Sequence, residues 1–175
     1  MAEIILLFIF GNQTNNTMDL IQTSALVEDS IRGLKVDPVL CRGQKPGQWS
    51  IIYKGATVWI DVFNFQDNPT RWYFQVMSPL LIIPDKNLES FYQNLLEINH
   101  SLFGSWICKK NDWTYVMFLR EAAGLDLNEI NATLDRVAYY CSDYQGKLKF
   151  KFEGSWLPKQ TPPANTGSSD GPPQK

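Results

Sequence analysis

His100 is the only histidine in the 175-residue chain. Ser-His-Asp or Cys-His catalysis therefore has a single base to draw on, and no spacing seats that base beside a nucleophile. Its place near the end of an apolar-periodic segment fits a helix C-terminus, where the helix dipole favours an imidazolium. Cys41, Cys108 and Cys141 are odd in number, widely spaced and without a CxxC pair. A disulfide framework is a poor fit, and a zinc site would need three or four ligands from this scattered set. Cys108 and Cys141 fall on strand and helix positions where cysteine behaves as a small hydrophobe. Cys41 precedes Arg42, which is expected to lower its pKa. No base stands near it to make it a nucleophile.

Among the carboxylates, Asp126 and Glu129 have the spacing of a helix cap. Asp61 alternates with aromatic residues and is the least comfortable charge in the chain. It is expected to face solvent or to pair with Arg71 or Lys54 across a sheet, and no second carboxylate is placed to complete an acid–base pair. HExxH, GxSxG and Gly-rich phosphate loops are absent, and Gly43-Gln44-Lys45-Pro46-Gly47 reads as a turn. The sequence thus points away from an enzyme, and no cofactor or metal is expected.

Composition narrows the partners. Sixteen Lys and Arg against eighteen Asp and Glu leave a net charge of -2. That is no cationic surplus with which to displace phosphate counterions, so nucleic acid is not an expected partner. No run of like charges marks a membrane-surface patch. Hydrophobic residues are 44% and aromatics 13%, so many rings need a core or a partner to bury them.

The elements that position these residues are legible in outline. Ile4 to Phe10 is unbroken apolar sequence, preceded by Glu3 and by no Lys or Arg. It is far short of the ~20 residues of a membrane span and lacks the flanks of an export signal, so residues 1–16 read as a strand or docked arm. Thr17 is the expected cap of a first helix carrying Leu20, Val27, Ile31 and Leu34, ending near Gly33. Lys35 to Gly47 is a loop. Strands are expected over Trp49–Lys54, Ala56–Phe65 and Arg71–Met77, with turns at Lys54-Gly55 and Asp67-Asn68-Pro69. A short apolar connection between Pro79 and Pro84 leads to a second helix, capped by Asp85 or Asn87 and closed by Gly104. Its stripe is Leu88, Phe91, Tyr92, Leu95, Asn99 and Leu102. A hairpin over Ser105–Lys110 and Trp113–Arg120 turns at Asn111-Asp112. Asp126 caps the third helix, with Leu127, Ile130, Leu134, Val137, Ala138, Cys141 and Tyr144 on one side and Gly146 as terminator. Lys147 to Phe152 alternates strictly and reads as an edge strand or docking segment. From Pro158 the chain is rich in Pro, Gly, Ser and Thr, and is expected to be a disordered tail. The fold class is therefore α+β over residues 17–157, in the order α-β-β-β-α-β-β-α, with helices packed on an antiparallel sheet.

That order resembles class I type III secretion chaperones and the related YbjN domains. The likeness rests on "NLESFYQNLLEINHSLFGSWICKKNDWTYVMFLREAAGLDLNEINATLDRVAYYCSDY", Asn87 to Tyr144. There a Leu-rich helix ends in an Asn-containing turn, a small-residue strand and hairpin follow, and an aspartate caps an L-D-x-x-x-I/L helix. The match spans roughly residues 17 to 146. It implies a cytoplasmic, often homodimeric protein that binds an extended stretch of a client. The apolar N-terminal run and the Lys-Phe alternation lie outside the family's pattern.

If helices cover the Val58, Ile60 and Val62 side of the second strand, the opposite side presents Trp59, Phe63, Phe65, Tyr73 and Met77. Such a patch is expected to hold a client or a second copy of the chain, and a client could also add as a strand at the sheet edge. The competing expectation is a small-ligand sensor or enzyme. Its pocket between sheet and helices would gather Asp61, Arg71 and His100.

Overall fold

The computed structural model describes residues 18–153 and Ser155. The apolar run at 4–10, the expected cap Thr17 and the tail from Pro158 lie outside the described residues.

Helix α1 spans Leu20–Gly33 and is capped by Asp19. Asp19 Oδ1 accepts from Gln22 N at 2.8 Å and Gln22 Oε1 accepts from Asp19 N at 3.4 Å, a reciprocal capping box. The cap was expected two residues earlier; the glutamine three positions after Asp19 completes the box at Asp19. Val27 and Ile31 are fully buried on its inner side.

A short 3-10 turn at Pro38–Cys41 leads to strands β1 (Gln48–Tyr53) and β2 (Ala56–Phe65). They form a two-residue hairpin at Lys54 and Gly55, with φ of 48° and 78°, the backbone that matches strand twist. Strand β3 runs over Asn68–Ile82 and absorbs the segment expected to be a connection. Pro79 is accommodated where the register against its neighbour shifts, a place where a missing N–H is tolerated. There Thr114 Oγ1 substitutes for the ladder, accepting from Leu81 N at 3.3 Å and donating to Leu81 O at 2.8 Å.

Helix α2 spans Leu88–Ser101 after Asn87 in the left-handed region, φ 59°. The Asn87 side chain does not cap the helix but donates to Ser155 Oγ at 3.3 Å. Strands β4 (Trp106–Lys110) and β5 (Trp113–Glu121) turn at Asn111, and helix α3 covers Leu127–Lys151. Asp126 caps α3 as expected, accepting from Glu129 N at 2.8 Å.

The Lys147–Phe152 segment is not a strand: α3 runs through Gly146 to Lys151. Its alternation conceals a four-residue spacing. Leu148 (1% exposed) and Phe152 (4%) face the core while Phe150 (83%) points to solvent. The core rewards the i,i+4 pair, so the helix outcompetes the strand. Leu127, expected on the apolar stripe, is partly exposed at the first turn, at 37%.

The five strands form one antiparallel sheet in the order β1-β2-β3-β5-β4. The observed class and element order are the expected ones. Helix α3 crosses β2, β3 and β5, α1 lies beside it, and α2 flanks β4. The core joins Val58, Ile60, Val62, Phe74 and Val76 of the sheet to Val27 and Ile31 of α1, Phe91 and Leu95 of α2, and Ile130 and Leu134 of α3. Ser30 Oγ to Asn131 Oδ1 (2.6 Å) ties α1 to α3. Asn99 clips α2 to the edge strand through both Ile107 N (2.6 Å) and Ile107 O (3.1 Å).

Candidate functional site: the outer sheet face

Alternation along β2 sends Val58, Ile60 and Val62 into the helix-covered core. Trp59, Asp61 and Phe63 go to the other side. Strand register assembles that outer side in rows. One row runs Ser50–Trp59–Met77–Met117–Trp106, a second Gln48–Asp61–Gln75–Leu119, and a third Phe63–Tyr73–Glu121.

The five residues expected to form the patch share this face but divide into two environments. Trp59 (5% exposed) and Met77 (9%) are built into a small second core with Tyr115, against which Cys108, Trp113 and Met117 pack. The Trp59 and Tyr115 rings lie 6.0 Å apart. Phe63, Phe65 and Tyr73 form a half-exposed ring cluster, with centroids 5.4, 5.8 and 4.9 Å apart. Phe65, two residues after Phe63, shares its side by strand alternation, and the register against β3 shifts between Asn64 and Phe65. Arg71 pairs with Glu121 at 3.2 Å at this end of the sheet.

Between the two groups sits Asp61, 2% exposed. It does not face solvent, and its partner is neither Arg71 nor Lys54. Lys54 instead pairs with Asp135 of α3. Asp61 Oδ1 accepts from Gln48 Nε2 at 2.9 Å; its Oδ2 and the Nε2 of Gln75, the residue across the ladder, are buried, with only a weak interaction between them. Burial pushes the Asp61 carboxyl up to about 6, with Gln48, Gln75 and Lys110 pulling weakly the other way. Asp61, Gln48, Phe63, Phe65 and Trp72 line a cleft of about 430 Å³ together with Leu20 and Lys45.

The residues proposed for a ligand pocket are not gathered. His100 is exposed in the last turn of α2, Arg71 engages Glu121, and Asp61 sits in the middle of the sheet. Among the described residues no group of three or more His, Cys, Asp or Glu side chains is placed to hold a metal ion. Cys41 runs against expectation: burial and nearby Asp37 raise its pKa, while Arg42 pairs with Glu28 at 2.6 Å. Cys108 is pushed to about 11 by burial on the outer face. Cys141 is buried and donates to Pro79 O at 3.2 Å.

Tyr115, Met117, Trp106 and Leu119 belong to this face and were not anticipated there. The alternation of Trp113, Tyr115, Met117 and Leu119 was visible in the sequence. What sets Met117 beside Met77 is the β3–β5 pairing across α2 and β4, which no local pattern encodes. Further apolar side chains are exposed at the β1 edge, Ile52 (73%) with Leu40 (84%), and near α2, Leu96 (69%) and Phe103 (73%).

No protein-family model and no curated protein matches the sequence. Solved structures do match in shape. A chain of the ExsC–ExsE complex superposes with a TM-score of 0.57 at 14% identity, covering 75% of this chain and 97% of that one. The HopA1–SchA chaperone–effector complex gives 0.51 at 11% identity, covering 70% and 92%. The ExoU–SpcU heterodimer from the type III secretion system of Pseudomonas aeruginosa gives 0.51 at 12%, covering 68% and 94%. The fold is therefore that of type III secretion chaperone-like domains. Among the described residues no helix is long and apolar enough to cross a membrane.

Proposed function

We propose that this chain is a non-enzymatic protein-binding module of the cytoplasm that holds an extended client segment, in the manner of a secretion chaperone or a YbjN-type regulator, and works as a homodimer. The observation that carries the reading is the outer sheet face. Phe63, Phe65 and Tyr73 present a half-exposed aromatic cluster on the same face as a buried apolar cluster, with the Asp61 row between them. Rings of this kind on a soluble domain mark an interface. Its fold is also the one seen in a structure described as a chaperone–effector complex. The β1 edge with exposed Ile52 offers a second point of attachment, by strand addition. The dispersal of Asp61, Arg71 and His100 supports this reading over a ligand-sensing pocket.

The test is affinity capture from native cytosol with the tagged full chain, compared with Phe63→Asp and Trp59→Ala. One stoichiometric protein retained by the native chain and lost from Phe63→Asp is the expected result. Capture unchanged in Phe63→Asp would remove the outer face from the reading, and capture of no protein under several growth conditions would favour the small-ligand alternative.

A further inference from the structure

The outer sheet face has a burial problem that the described elements do not solve. Trp59, Tyr115, Asp61 and Gln75 are 5, 4, 2 and 2% exposed. The apolar cluster they adjoin is made of strand side chains alone. Helices α1, α2 and α3 give their buried residues to the opposite core. Asp61 Oδ2 and Gln75 Nε2 are buried on the same face without a well-formed hydrogen bond, and their mutual interaction only weakly offsets the burial of Asp61. An extended backbone carries the complementary N–H and C=O.

The chain itself holds a segment of matching chemistry. Ile4 to Phe10 is seven consecutive apolar residues without a charge. The fold receives it at the right place: α1 begins at Leu20, which lines the same cleft as Asp61, Phe63 and Phe65. Residues 11–17 can span roughly 25 Å when extended. From Asp61, Trp59, Met77 and Tyr115 lie within about 13 Å along the strands and about 10 Å across them, so this part of the face is within reach.

We propose that Ile4–Phe10 docks on the outer sheet face of its own chain, over Trp59, Met77 and Tyr115, and holds the place later taken by an extended apolar segment of a protein partner. The competition rests on the protein-binding reading above; the docking does not. Because the segment is tethered, it acts at high effective concentration. A partner must therefore outcompete it, which spares the apolar face from promiscuous association.

The direct test places the photo-crosslinker benzoylphenylalanine at Phe8 in the otherwise native full chain. Intrachain crosslinks to the β2, β3 and β5 peptides carrying Trp59, Met77 and Tyr115 are expected. Crosslinks to a second copy, to the helices, or to no site on the chain would overturn the proposal. A second test reads Cys108, which lies on the covered face. In the full chain carrying Leu6→Asp and Phe8→Asp, maleimide labelling of Cys108 is expected to rise about tenfold while labelling of Cys41 stays constant. An unchanged Cys108 rate in a folded double variant would also overturn it. Where that variant loses its far-ultraviolet circular dichroism, the crosslinks in the native chain decide. Crosslinks elsewhere, combined with a partner that Phe63→Asp still loses, would remove this inference and leave the protein-binding reading in place.

Discussion

Asp61 is the residue with the most to say about its own environment. Its carboxyl titrates near 6 in the folded chain against 3.8 in the ordinary state, because burial penalises the charge more than Gln48 compensates it. The sign follows from proton uptake. Below pH 3.8 both states are protonated and Asp61 costs nothing. Between 3.8 and about 6 the folded state holds the extra proton, so this group's contribution to stability falls as pH rises. Above that the full penalty, roughly 3 kcal/mol as an upper figure, is in force. Asp61→Asn is therefore expected to raise the urea midpoint at pH 7.5 and leave it nearly unchanged at pH 4. Parallel wild-type and variant curves across that range would refute the assignment. Trp59 and Phe63, neighbours on one face, are expected to separate in the same assay. Trp59→Ala opens a cavity in the small second core and should cost about 3–5 kcal/mol. Phe63→Ala, at a half-exposed site, should cost distinctly less, which makes it the cleaner probe of partner binding.

Helix α3 is the element where local pattern and tertiary context disagree. Read locally, Lys147 to Phe152 is a strand and Gly146 a stop. In the fold, Leu148 and Phe152 close the core beside Cys141, and the helix continues through Gly146. Leu148→Ala is accordingly expected to destabilise by about 2–5 kcal/mol, and Phe150→Ala by less than about 0.5 kcal/mol, as at an exposed site. A strand would make Leu148 and Phe150 equivalent. Gly146→Ala meets nothing within 4 Å of the new Cβ and should stabilise by about 0.5–1 kcal/mol through helix propensity. Thermal or urea denaturation of the three variants checks the set. The same weighing explains β3, where Pro79 punctuates the sequence but the sheet bends its register to keep the strand.

For the whole molecule, the proposed dimer makes a measurable claim. Sedimentation equilibrium at micromolar concentration is expected to return twice the 20.1 kDa chain mass. A single-chain mass throughout would leave a monomeric binding module. Both the outer sheet face and the exposed Leu96 and Phe103 near α2 offer apolar area for such contact. A Leu96→Asp variant that dissociates while a Phe63→Asp variant does not would assign the dimer to α2 and keep the sheet face for the partner. That division matters because α3 occupies the inner face of the sheet, which leaves the outer sheet face open to a partner.

By itself the sequence determined the class of the fold, because period-two and period-3.6 patterns, the Asp126 cap and the Lys54-Gly55 turn are all local signals. It also divided β2 into a Val58, Ile60 and Val62 side and a Trp59, Asp61 and Phe63 side, but which of the two the helices cover was decided by the tertiary structure. Only the tertiary structure decided that β5 inserts between β3 and β4, bringing Tyr115 and Met117 to Trp59 and Met77. It alone decided that Asp61 is buried on Gln48 and that Lys147–Phe152 is helix. The physical reason is common to all of these. Non-local pairing and core burial are worth more than local preference, and a chain read residue by residue does not reveal which distant surface will reward it.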